Sequence, residues 1–333
     1  MMKTEALKLT REWDKVFPKS EKVDHRKVTF VNHFGITLAA DLYTPKNAEG
    51  KLPAIAVSGP FGACKEQSSG LYAQTMAERG FLTIAFDPSF TGESGGFPRA
   101  MHSPDIDVED FQAAVDFLSV QETVDPERIG IIGICGWGGM ALQTACIDTR
   151  IKATVTSTMY DMSRVAGNGY FDAADNEEAR HQARLAVNAQ RTRDYKNGEY
   201  QRAGGVVDPL PEDAPTFVKD YYAYYKTPRG YHARSLNSND GWTINTGTSL
   251  MNTRLFTYSK EIRGAVLMLH GDKAHSCYMS VDAYNSMVDG SSYAGTKELC
   301  IIPGASHTDL YDGGGRAAIP FDKIEAFLKE HLK

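Results

Sequence analysis

Residues 128–142, RIGIIGICGWGGMAL, force three things in immediate succession: a buried strand, a sharp turn and a helix. The run from Ile129 to Ile134 is apolar and β-branched, as a strand covered on both faces must be. The glycines that follow allow a tight reversal and a helix packed close behind it. Cys135 sits at the turn, where a nucleophile elbow holds its reactive side chain on a strained backbone among small neighbours. Gly133 supplies the small residue two positions before, and Gly136, Gly138 and Gly139 supply those after. The amides at the helix start direct positive charge toward the sulfur, which favours thiolate. Trp137 departs from this pattern, because an elbow usually has a small residue two positions after its nucleophile. A shifted register would place Gly136 at the tip and leave no nucleophile, and the alternative reading makes Cys135 a small buried hydrophobe.

A dinucleotide-binding turn is the other chemistry that glycines after a strand suggest. It requires an early strand–helix–strand unit and an acidic residue about 20 positions on. Here the strand lies mid-chain, and Thr154, Val155 and Thr156 occupy the relevant positions. The chain has 333 residues and a formal net charge of −6, with no run of Lys and Arg, which argues against nucleic acid as a partner. No apolar run is long enough for a membrane span, and the charged N-terminus has no signal-peptide core. Five cysteines without a C-x-x-C pair fit reduced thiols in a cytoplasmic protein, without a disulfide framework or a metal site.

Short apolar runs alternate with helical patterns along most of the chain, the signature of a mostly parallel sheet flanked by helices. Strands are expected at residues 28–31 and 36–43 as an antiparallel pair turned at Gly35, then at 54–58, 82–86, 129–134, 151–157, 266–269 and 298–302. Helices are expected at 71–79, 108–118 and 319–332. The regular beat breaks within residues 159–261, a polar, Tyr-rich segment. It is expected to be a mainly helical cap inserted into a core formed by residues 1–158 and 262–333, lying over the strand ends where open sheets bind ligands. Within it, residues 220–225 (DYYAYY) put aromatic rings on one broad helix face, for packing or for a pocket wall.

A cysteine nucleophile needs a base, and the base needs an orienting group. In the elbow architecture the order along the chain is nucleophile, acid, histidine. Asp272 follows the strand at 266–269, and His307 lies on the loop after the strand at 298–302, which completes that order. His270 reads as a packed, hydrogen-bonded residue, and Asp309 and Asp312 read as turn or helix caps. The oxyanion donors are expected to be the amides of Gly136 and Phe61. Trp137, Tyr221, Tyr225, His232, Trp242 and His275 are the candidate pocket residues. Lys65, Glu66 and Gln67 read mainly as a solvated helix start, and residues 87–99 as a structural loop.

Four groups of residues carry a family resemblance: 60–72 (PFGACKEQSSGLY) with 92–96 (GESGG), 133–139 (GICGWGG), 270–276 (HGDKAHS) with 303–312 (PGASHTDLYD), and 231–239 (YHARSLNSN). They resemble the α/β-hydrolase superfamily in its dienelactone-hydrolase-like branch with a cysteine nucleophile, and bacterial hydrolases akin to fungal polyketide-transferase-type hydrolases. The resemblance implies an α/β-hydrolase fold and a Cys135–His307–Asp272 triad. Gly59 stands where dienelactone hydrolases carry a Glu, so that enzyme's control of its thiol is not reproduced. The expected activity is cleavage of a carboxylic ester, thioester or lactone through an acyl-thioester intermediate, with no cofactor. The alternatives are an acyltransferase using the same intermediate and a ligand-binding member of the fold without turnover. A homodimer is compatible with this fold.

Overall fold

A computed structural model describes residues 4–333. Eight strands form one sheet: β1 (Val23–Val31), β2 (Thr37–Pro45), β3 (Leu52–Ser58), β4 (Leu82–Phe86), β5 (Val124–Ile134), β6 (Ile151–Ser157), β7 (Ala265–Gly271) and β8 (Lys297–Ile302). Their spatial order is β1-β2-β4-β3-β5-β6-β7-β8. The pairs β1/β2 and β2/β4 are antiparallel and the rest are parallel. This is the expected α/β fold with a mostly parallel sheet.

Ten helices accompany the sheet among the described residues. They are α1 (Ser68–Ala77), α2 (Pro104–Ser119), α3 (Gly136–Ala145), α4 (Met162–Asn168), α5 (Glu177–Asn197), α6 (Thr216–Tyr225), α7 (Gly247–Met251), α8 (Cys277–Val288), α9 (Asp309–Asp312) and α10 (Phe321–His331). The pleat sorts the central side chains. Ile132 and Ile134 of β5 join Ile55 and Val57 of β3 on the face covered by Met76 of α1 and Leu328 of α10. Ile129 and Ile131 join Ala54 and Ala56 on the face covered by Phe111 and Val115 of α2 and Met140 of α3. Strands buried on both faces are continuously apolar rather than alternating, which is why the sequence pattern located them. Helices α4 to α7 all lie in the connection between β6 and β7. No helix among the described residues is long and apolar enough to cross a membrane.

Candidate active site

Cys135 sits between β5 and α3 with φ 58° and ψ −128°. Positive φ at a non-glycine residue is strained and persists only where its surroundings enforce it. Here they do. A Cβ on Gly133 would lie 2.1 Å from the Trp137 carbonyl oxygen, and one on Gly139 would lie 2.3 Å from that of Tyr160. Trp137 leaves the turn intact because its ring points down into the core, edge-on to Phe86 and Phe111 at 5.7 and 5.4 Å. The small residue that makes room for it is Gly59, whose added Cβ would come within 2.8 Å of Trp137 Cβ. The position where the resemblance calls for Glu is therefore closed to any side chain. Trp137 is buried, not part of a pocket wall as the sequence reading had it.

The backbone amides of Phe61 and Gly136 and the Tyr311 hydroxyl lie close enough to the Cys135 thiol to influence its ionisation. These three favour thiolate, but burial opposes them more strongly and raises the thiol above its ordinary value. His307 is buried with its Nδ1 2.8 Å from Thr158 Oγ1 and 2.7 Å from Ser276 Oγ, and its Nε2 3.1 Å from the Tyr311 hydroxyl. Ser276 continues to His270 Nε2 at 2.9 Å, and His270 Nδ1 meets Ser280 Oγ at 2.7 Å. Burial first, and then His275 and His270, hold the His307 imidazole well below its usual range. Burial thus disfavours the charged form of both thiol and imidazole.

Asp272 does not orient His307. It lies one residue past the end of β7, where the chain turns outward, and its carboxylate accepts the Gly304 amide at 2.6 Å beside Lys273. The side chain turned back toward the imidazole is Ser276, four residues on. Asp309 accepts the Ser306 amide at 2.8 Å, and Asp312 pairs with Arg229 at 2.7 Å. So no carboxylate hydrogen-bonds to His307 among the described residues, and its orienting partners are hydroxyls.

Cys135 opens on a cavity of about 510 Å³. Its walls include Phe61, Met162, Tyr221, Tyr225, Trp242 and Tyr311, and among the described residues no Asp, Glu, Lys or Arg side chain lines it. Of the expected pocket residues, Tyr221, Tyr225 and Trp242 line this cavity. His275 lies behind this wall, bonded to the Tyr160 hydroxyl and stacked on Phe217 at 4.3 Å. His232 is not in the pocket. Its Nδ1 faces Cys64 Sγ at 3.1 Å and accepts the Arg234 amide at 3.1 Å, and its Nε2 meets the Asp14 carbonyl at 3.1 Å.

The loop carrying Phe61 is clamped from two sides. Asn237 donates to the Phe61 carbonyl at 2.9 Å from above. Below, Lys65 is completely buried and reaches Glu66, Asp87 and Glu93 at 2.7, 2.8 and 2.6 Å. The expected solvated helix start is in fact a buried ion cluster. Sequence reasoning also passed over Thr158, Ser276 and Tyr311. The latter two fall within motifs it had singled out, but nothing in their spacing marks a hydroxyl as a partner of His307.

The family model of X-Pro dipeptidyl-peptidase (S15 family) matches residues 35–308. The chain belongs to that family. It is 56% identical to uncharacterized protein PA2218 of Pseudomonas aeruginosa, over 98% of this chain and 86% of that one. The crystal structure of PA2218 superposes with a TM-score of 0.93 at 55% identity, covering 98% of this chain and 100% of the other. Thiohydrolase aneE of Aspergillus aculeatus is 33% identical over 41% of this chain and 42% of its own length. The α/β hydrolase GrgF from Penicillium shares the fold, with a TM-score of 0.76 at 19% identity over 93% of this chain and 99% of its own.

Proposed function

We propose that this chain is an acyl-transfer hydrolase that attacks an ester, thioester or lactone carbonyl with Cys135 and passes through a covalent acyl-thioester. The observation that carries this reading is a strained-turn thiol, with the Phe61 and Gly136 amides near enough to influence it, at the foot of an apolar cavity. In the reaction His307 receives the thiol proton, and the Phe61 and Gly136 amides hold the developing oxyanion, each such donor being worth about 3 kcal/mol. Water, activated by the same imidazole, then releases the acid. Thr158 and Ser276 take the orienting part first assigned to Asp272. The segment between β6 and β7 acts as the cap, since Tyr221, Tyr225 and Trp242 wall the cavity.

The cavity's charge selects the substrate class. A dipeptidyl-peptidase must bind a peptide's α-ammonium, and a buried ammonium needs a carboxylate partner. Among the described residues the cavity walls offer none. A neutral, largely apolar acyl group fits instead, in keeping with relatives named thiohydrolase and acyltransferase. The test is turnover of neutral acyl thioesters and p-nitrophenyl esters beside Ala-Pro-p-nitroanilide, by wild type and Cys135→Ala. Turnover of the thioesters or esters only, abolished in Cys135→Ala, is the expected result. Cleavage of the anilide alone, or full activity in Cys135→Ala, would overturn the reading.

A further inference from the structure

His307 is cut off from the cavity it serves. It does not line the cavity, whereas Cys135 and Tyr311 both do. Its three side-chain hydrogen bonds go to Thr158, Ser276 and Tyr311, and none goes to sulfur. Tyr311 lies one helical turn after His307, in α9, so its ring rises beside the imidazole, with ring centroids 5.3 Å apart. Its hydroxyl stands 3.1 Å from Nε2, and its side chain shares the cavity wall with Cys135, close enough for each group to influence the other's ionisation. The ring is fully buried, edge-on to Tyr224 and Tyr225 at 5.0 and 6.1 Å, which fixes the hydroxyl in this place.

We infer that Tyr311 is a catalytic residue that carries the proton between Cys135 and His307. This rests on Cys135 being the nucleophile. As sulfur attacks, its S–H bond breaks and the proton goes to the Tyr311 oxygen, while the Tyr311 O–H bond breaks and that proton goes to His307 Nε2. The sulfur electron pair forms the S–C bond, and the carbonyl π pair moves onto the oxygen facing the two amides. Tyr311 remains neutral throughout, having exchanged one proton for another. When the tetrahedral adduct collapses, the transfer runs backwards and protonates the leaving group. A phenol relay suits a site where burial disfavours charge on both end groups, because no buried ion pair has to exist before attack.

The experiment measures acylation by p-nitrophenyl esters in single turnover, with steady-state kcat and KM, for wild type, Tyr311→Phe, Cys135→Ala and His307→Ala. Tyr311→Phe keeps the ring and removes only the relay. The expected result is a loss of about 100-fold or more in acylation rate and in kcat, with KM within about threefold. Enzyme carrying 3-fluorotyrosine in place of tyrosine, measured in parallel, is expected to retain activity with an altered solvent isotope effect on acylation. If Tyr311→Phe acylates at the wild-type rate, or loses only KM, Tyr311 is a wall and the inference fails. Should Tyr311→Phe not fold, the fluorotyrosine enzyme decides: an unchanged isotope effect rejects the relay. Acylation that survives in Cys135→Ala fails the functional reading itself, a separate outcome.

Discussion

In the proposed reaction Cys135 and His307 are the acting pair, and burial disfavours the charged form of each. Papain-like sites do the reverse and hold a thiolate beside an imidazolium. A thiol raised above its ordinary value is mostly protonated at neutral pH, and a lowered imidazole adds no positive charge to change that. Alkylation of Cys135 by iodoacetamide is therefore expected to be slow near neutrality and to climb only at a pH above that at which an ordinary thiol reacts. Mass spectrometry of the Cys135 peptide across pH checks this, and a plateau reached below about pH 7 would show an ion pair instead. The same scale separates Ser276 from Asp272. Ser276→Ala removes a hydrogen bond to His307 and is expected to lower kcat by about tenfold. Asp272→Asn leaves the imidazole's partners in place and is expected to change kcat by less than about twofold. Steady-state kinetics with one ester compares the two, and the reverse ranking would restore Asp272 to the site.

The elements that hold these residues are the loop after β3, the elbow between β5 and α3, and the turn into α9. Lys65 anchors the first. Lys65→Met would leave Glu66, Asp87 and Glu93 facing one another in the interior, and loss of one partner from a buried ionic cluster costs about 3–5 kcal/mol. Urea denaturation is expected to show that loss, and a change below about 1 kcal/mol would mean the cluster is not holding the fold. The carboxylate of Glu93 gives the cluster a pH signature. Although burial opposes it, Lys65 and Lys27 lower its pKa to about 2 from an ordinary 4.5. A lowered carboxylate stabilises the fold above its unfolded value, so this contribution is present above pH 4.5 and is lost as pH falls toward about 2.

At this scale the sequence was most readable where burial is two-sided. Residues 151–157 and 82–86 were located to the residue, and the elbow followed from glycines whose absent side chains leave room for Trp137 and Tyr160. It was least readable where a polar side chain is buried with partners remote in the chain. Lys65 looks solvated until Asp87 and Glu93 are brought to it. Ser276 carries no local mark of facing His307, whereas Asp272, at the strand end, carries a false one.

Across the whole molecule, the sheet presents the thiol at the end of β5, and the segment between β6 and β7 closes an uncharged cavity above it. In the proposed function this cavity is a filter on the acyl group. An acyl chain ending in a carboxylate would have to bury an unpaired charge there, so its kcat/KM is expected to fall at least about 100-fold below that of the matching neutral chain. Equal rates for the two would mean that the acyl group lies elsewhere. The central claim, a covalent acyl group on Cys135, is tested most directly by intact-protein mass spectrometry within the first turnover on a neutral acyl thioester or p-nitrophenyl ester. A transient gain of one acyl mass, localised to Cys135 and absent from Cys135→Ala, is the expected result; turnover by wild type and Cys135→Ala alike, with no adduct on either, would contradict it.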